Sequence, residues 1–216
     1  MEFRKVVIVV VAALAVGAIA GGCQSGGVGD PCIPEDEYQV DFSGFAATEV
    51  NIESRSFQCE TRVCLVNHFR GRVSCPLGQT EDAVSLPPDS PQRCRIPGSS
   101  KAAVNVPVNP QCVSRTASAA VYCSCRCDGD DPNAKYCQCP NGYACQKFNE
   151  FDVGALVVKG SGQLRGSYCV KANTAYTSGQ CAQGQTVGQA GEPCTSSGTG
   201  NCGVTVNPLA FGDFFF

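Results

Sequence analysis

The sequence predicts a mostly β, small, disulfide-rich protein made of short antiparallel hairpins with long loops and few helices. Three observations lead there. The chain carries 17 cysteines in 216 residues. Short β-prone pieces alternate with turn residues, among them 24 Gly and 13 Pro, and no apolar pattern of helical period is sustained.

Cysteine at this density survives either as metal ligands in a reducing compartment or as disulfides in an oxidising one. Metal sites recruit histidine and close C-x-x-C pairs. This chain has one histidine, His68, and no C-x-x-C, so the oxidised state is expected. That spacing also excludes a thioredoxin-like dithiol. The formal net charge is −3 and no basic run exceeds a pair, which excludes a nucleic-acid partner that needs a cationic face.

Residues 1–22 read as an export signal. Arg4 and Lys5 precede fifteen apolar residues, Val6 to Ala20, a run shorter than the about 20 residues that a bilayer-spanning helix needs. Removing Glu2, Arg4 and Lys5 with this segment leaves 16 Lys and Arg less two against 19 Asp and Glu less one, a net of −4. Ala20-Gly21-Gly22-Cys23 then resembles the lipobox of bacterial lipoproteins, in which small residues precede a cysteine that is acylated and becomes the mature N-terminus. The resemblance implies lipidation at Cys23, a membrane as partner and, with Gln24 following, an outer-membrane location in the cell envelope. Ala20 stands where Leu is commonest, and Ala18-Ile19-Ala20 offers an ordinary A-x-A cleavage site as the alternative. Parity favours Cys23: lipidation leaves sixteen cysteines, an even number, whereas cleavage after Ala20 leaves one thiol unpaired. Two or three acyl chains hold a protein firmly, where a single one binds marginally at about 0.8 kcal/mol per buried CH₂.

Residues 23–30 are expected to form the acylated cysteine and a flexible Gly/Ser tether, and residues 31–85 an N-terminal Cys-rich lobe. There Arg62 to Val66 is expected to pair with Arg72 to Cys75 across a turn at Gly71. Residues 86–111 form a Pro-rich connector that cannot be a central strand, because proline removes ladder donors; Cys94 pins it. Residues 112–173 should hold two further hairpins, Val121–Cys127 with Lys135–Cys139, and Val153–Lys159 with Leu164–Val170. Residues 174–216 form a polar tail stapled by Cys181, Cys194 and Cys202 and ending in Phe214-Phe215-Phe216, which are expected to pack back on the domain or to serve as an apolar tag. The sequences Gly29-Asp30-Pro31-Cys32 and Gly191-Glu192-Pro193-Cys194 repeat one four-residue pattern.

The bridge-forming set is Cys32, Cys59, Cys64, Cys75, Cys94, Cys112, Cys123, Cys125, Cys127, Cys137, Cys139, Cys145, Cys169, Cys181, Cys194 and Cys202, with pairing left open. In an extended C-x-C-x-C run, side chains two apart share a face, so Cys123, Cys125 and Cys127 should each bridge elsewhere. Cys137, Cys139, Gly142, Tyr143 and Cys145 resemble the end of an EGF-like module, with an unrelated disulfide-bonded hairpin as the alternative. Asp128, Asp130 and Asp131 are weak calcium candidates, since a hard ion accepts clustered carboxylates, but Asp-Gly and Asp-Pro are also ordinary turn chemistry. His68 reads as a solvated loop histidine. With no nucleophile elbow, zinc-protease or phosphate-loop motif, no catalytic residue, cofactor or metal is assigned. The expected role is structural, adhesive or ligand-binding, with an envelope protein or polysaccharide as partner. The alternative is an extracytoplasmic enzyme or enzyme inhibitor with a carboxylate-based site.

Overall fold

The computed structural model describes residues 26–112, 115–148, 158–159 and 166–177. Its architecture is two small sheets sharing a core. Strands β1 (Val50–Glu53), β2 (Val63–Asn67), β3 (Val121–Ser124) and β6 (Val158–Lys159) form the first, in the order β3-β2-β1-β6. Strands β4 (Arg126–Asp128), β5 (Tyr143–Phe148) and β7 (Gly166–Lys171) form the second, in the order β4-β7-β5. All pairings are antiparallel except that of β1 with β6. Helical structure among the described residues is limited to α1 (Glu81–Val84), α2 (Ala117–Ala120) and one 3-10 turn, Glu35–Tyr38. The first sheet thus takes β1 and β2 from residues 31–85 and β3 from residues 112–173.

Alternation along the strands explains how the sheets stack. In β2 and β3, Leu65 and Tyr122 are register partners on one face, and Cys64 and Cys123 on the next pair along point the other way. Leu65 and Tyr122 join Val50, Ile52, Phe148, Tyr168 and Val170 in one apolar cluster drawn from both sheets. Cys64, Val66, Val121 and Cys123 join Phe45, Phe69 and Val73 in a second cluster on the opposite side. The first sheet is therefore covered on both faces, and β2 is a nearly continuous run of buried residues. Strand β2 ends where His68 takes a left-handed backbone, φ 55°, which ladder pairing cannot continue through. The sheets are linked by a hydrogen bond from the Lys171 N–H to the Tyr122 hydroxyl, 2.9 Å, and by Tyr122 meeting Tyr143 edge to face, with ring centroids 5.8 Å apart.

Among the described residues, none of the three hairpins read from local sequence forms. Arg62 to Val66 pairs with β1 and β3 instead of with Arg72 to Cys75. The reason is that the donors of the second segment are already used: the Val73 and Ser74 N–H groups both donate to the Glu37 carboxylate. Gly71, expected as a hairpin turn, lies with φ 82° where a Cβ would strike the Asn109 backbone. Val121 to Cys127 divides between the sheets, and the segment facing it contributes one backbone bond, Cys137 N–H to Arg126 O, 3.0 Å. In the third, β6 lies parallel to β1, and both edges of β7 are taken by β4 and β5; residues 153–157 lie outside the described residues.

The Pro-rich connector packs as a covering loop. Ile96, Val104 and Val108 surround Cys75 and Cys94 in a third small core. The residues expected to form a free tether are ordered from Gly26: the Gly26 N–H donates to Gln58 O at 2.7 Å, the Gly29 N–H to Cys123 O at 2.8 Å, and Asp30 O accepts from the Cys123 N–H at 2.7 Å. Gly29 has φ 101° and lies so close to the Tyr143 ring that a Cβ would overlap it, so no other residue fits there without displacing that tyrosine.

Three buried arginines replace the regular ladders that this loop-rich chain lacks. Arg72 donates to the backbone carbonyls of Glu37, Gln39 and Phe42. Arg93 donates to those of Val84, Leu86 and Val104, and Arg115 to those of Asn67, His68 and Thr174. Buried carbonyls must find donors, and a planar guanidinium supplies five from one residue.

Candidate functional site

All thirteen cysteines among the described residues are disulfide-bonded. The pairs are Cys32–Cys64, Cys59–Cys123, Cys75–Cys94, Cys125–Cys137, Cys127–Cys145 and Cys139–Cys169. The thirteenth, Cys112, is also bonded; since the other twelve pair among themselves, its partner falls outside the described residues. Cys23, Cys181, Cys194, Cys202 and the terminal phenylalanines lie outside them too. Cys123, Cys125 and Cys127 bridge to Cys59, Cys137 and Cys145, but not from one face of a single strand: Cys123 lies in the first sheet, Cys127 in the second and Cys125 between them.

The register explains why bridges crowd together. Cys64 faces Cys123 across β2 and β3, and Cys145 faces Cys169 across β5 and β7. Neither facing pair is bonded to itself; each of the four cysteines bridges to a cysteine outside its facing pair, so two disulfides lie side by side in each sheet. In the first sheet the Sγ atoms of Cys32, Cys59 and Cys123 lie within 4.8 Å of one another, all buried. In the second, Cys127, Cys139 and Cys145 are grouped within the same limit, as are Cys125, Cys137 and Cys169. There Cys169 Sγ is 3.5 Å from Cys125 Sγ and 3.7 Å from Cys137 Sγ, across bridges that are not its own. Cys145, at one end of this set, is exposed, whereas Cys125 and Cys169 are buried.

The sequence-derived polar candidates have local structural partners. Asp128 Oδ1 accepts from the Gly129 N–H at 2.8 Å and Asp131 Oδ1 from the Asn133 N–H at 2.9 Å, while the Asp131 carbonyl accepts from the Tyr136 hydroxyl. Asp128, Asp130 and Asp131 are all exposed, and the contact of Asp131 with the Asn133 N–H is an Asx-turn. His68 is not a solvated loop residue. Its Nδ1 lies 2.9 Å from Ala47 O, and its ring stacks on Tyr176 with centroids 4.3 Å apart and planes 8° from parallel. Burial pushes its imidazole below the ordinary value, and the nearby Arg115 charge adds to that, against the hydrogen bond with Ala47.

Carboxylates gather where the 3-10 turn covers the first sheet. Glu53 Oε2 accepts from the Glu35 N–H at 2.9 Å, and Asp36 Oδ2 accepts from Asn51 Nδ2 at 3.4 Å. Burial raises the Glu53 carboxyl above its usual range, opposed by the Glu35 N–H and reinforced by the charges of Glu35 and Asp36. Beside it, burial and the charges of Glu37 and Glu53 raise the Tyr38 hydroxyl. Glu37 is fully buried and held by two backbone N–H groups, so it braces the chain and is closed to substrate. Sequence reading missed this corner because Glu35-Asp36-Glu37 reads as a solvated acidic face, and only the return of β1 places Glu53 beside it.

No helix among the described residues is long and apolar enough to cross a membrane; the apolar run Val6 to Ala20 lies outside them. Comparison with protein-family models, with curated proteins and with solved structures found no match.

Proposed function

We propose that the chain is the precursor of an exported, lipid-anchored cell-envelope protein whose disulfide-stapled β body has a structural, adhesive or ligand-binding role. The observation that carries this reading is the complete pairing of the thirteen described cysteines, which favours an oxidising compartment. Parity supports the anchor: with Cys112 bonded outside this set, Cys181, Cys194 and Cys202 complete an even number when Cys23 is acylated and removed from the pool. Membrane attachment is through lipid at Cys23. From there to Gly26, the first described residue and one held by hydrogen bonds to the body, is three residues, a reach of about 10 Å, so the body would lie against the bilayer instead of on a long tether. Phe57, 81% exposed with the Arg62 guanidinium 4.8 Å above its ring, adjoins Gln58, whose carbonyl holds Gly26. An envelope protein or polysaccharide is the expected partner of the remaining surface.

Intact-mass analysis of the purified mature protein tests the reading. Acyl mass on the Cys23 peptide and sixteen oxidised cysteines are expected, and Cys23→Ala should release the protein from membranes. An unmodified mature chain beginning at Gly21 would overturn the anchor.

The corner of Glu35, Asp36 and Glu53 favours a second reading, an extracytoplasmic enzyme or enzyme inhibitor, because a carboxyl raised by burial and like charges is suited to proton transfer. A hydrolytic activity abolished by Glu53→Gln with the fold intact would establish it. Loss of fold in place of activity would assign these carboxylates to structure.

A further inference from the structure

We propose that the three bridges Cys127–Cys145, Cys139–Cys169 and Cys125–Cys137 form a thiol–disulfide exchange relay that takes up two electrons from a dithiol partner at the exposed Cys145 and passes the released thiolate through the second sheet to Cys137. Two features of the geometry carry this. Sulfurs of successive bridges are grouped: Cys127, Cys139 and Cys145 lie within 4.8 Å of one another, and Cys169 is 3.5 Å from Cys125 and 3.7 Å from Cys137. The last two distances approach the separation of about 3–3.5 Å that reacting atoms take before attack. The set also opens to solvent at one end, because Cys145 is exposed while Cys127, Cys139 and Cys137 are half-buried and Cys125 and Cys169 buried.

The exchange balances without any further reactant. A thiolate of the partner dithiol attacks Cys145 Sγ, forming a mixed disulfide and releasing the Cys127 thiolate. Cys127 attacks Cys139 Sγ, forming Cys127–Cys139 and releasing the Cys169 thiolate. Cys169 attacks Cys125 Sγ, forming Cys125–Cys169 and releasing the Cys137 thiolate, which takes up a proton. The partner's second thiol, on losing its proton, attacks its own sulfur in the mixed disulfide, so the partner leaves as a disulfide and Cys145 is freed as a thiol. The partner is oxidised by two electrons. The protein ends with two bridges among these six cysteines and thiols at Cys145 and Cys137.

The first sheet provides an internal control. Cys32, Cys59 and Cys123 are packed as closely, but all four cysteines of its two bridges are at most 1% exposed, so no outside thiolate can start an exchange there. The relay goes beyond the proposed envelope role and does not depend on the lipid at Cys23.

The test is limited reduction of the purified, fully oxidised mature protein with one equivalent of dithiothreitol, followed by alkylation at successive times and peptide mapping. Label is expected first at Cys127 and Cys145. It should then spread to Cys137, with non-native Cys127–Cys139 and Cys125–Cys169 peptides, while Cys32, Cys59, Cys64 and Cys123 stay unlabelled. In a variant with Cys139→Ser and Cys169→Ser, label should remain at Cys127 and Cys145. Any of four results would overturn the relay: label confined to Cys127 and Cys145 in the wild-type protein, label in the first sheet, spread to Cys137 that persists without the middle bridge, or no label at tenfold excess of dithiothreitol. The first and second are read on the wild-type protein alone, so the proposal stays testable if the variant does not fold.

Discussion

The two sheets use the same device with opposite exposure. In each, a pair of cysteines faces across an antiparallel ladder and bonds outside the pair, Cys64 with Cys123 facing in one and Cys145 with Cys169 in the other. The first sheet is covered on one side by Phe45, Phe69 and Val73 and on the other by the shared core. The second is covered on the shared side, and most of β5 is exposed. Burial therefore separates bridges that only hold from bridges that an outside thiol can reach. A disulfide restricts the unfolded chain in either setting, but its chemistry depends on whether a thiolate can approach.

The largest effect that sharpens the comparison comes from deleting one bridge from each sheet. Replacing Cys59 and Cys123 by Ala removes a link across 64 residues and should cost about 4 kcal/mol by chain entropy alone. Replacing Cys127 and Cys145 removes one across 18 and should cost about 3 kcal/mol. Guanidinium unfolding measures both, and the reverse order would show that burial of the sheet, and not loop length, sets what each bridge contributes.

Arg115→Met comes next. It strips donors from the Asn67, His68 and Thr174 carbonyls, of which the first ends β2 and the last follows β7, and should cost about 3 kcal/mol through buried groups left without partners. Thermal unfolding should show both sheets destabilised together. Tyr122→Phe leaves the Lys171 N–H without its acceptor and should cost about 1 kcal/mol, with faster hydrogen exchange at the Lys171 amide as the local readout.

The smallest effect is a pH slope. The imidazole of His68 titrates lower in the folded state than in the unfolded chain, so below about pH 6.5 the unfolded chain binds more protons. Stability contributed by neutral His68 is present above that pH and is lost as pH falls through it toward the folded value. His68→Asn, which tolerates the left-handed backbone, should flatten this slope in urea unfolding between pH 5 and 7.

Much of the bridge chemistry was legible and little of the pairing. Seventeen cysteines with one histidine and no C-x-x-C pointed to oxidised bridges because metal binding needs other residue types or spacings. The period-2 spacing of Cys123, Cys125 and Cys127 suggested one strand face, whereas the segment divides between the two sheets. The hairpins were misread because adjacency in sequence says nothing of which backbone donors are already engaged: Glu37 captures Val73 and Ser74 from 36 and 37 residues away. His68 looked solvated because Tyr176, its stacking partner, is remote in sequence. Of the acidic corner, the sequence shows Glu35 and Asp36 but not the arrival of Glu53.

By itself, then, the sequence determined a mostly β fold with few helices and the residue types that would oxidise, because these follow from composition and from spacing within a few residues. Which cysteines meet, which strands are neighbours and which bridges open to solvent were decided only in the tertiary structure. Those outcomes depend on which apolar faces bury one another, and so on contacts between segments that the chain separates widely.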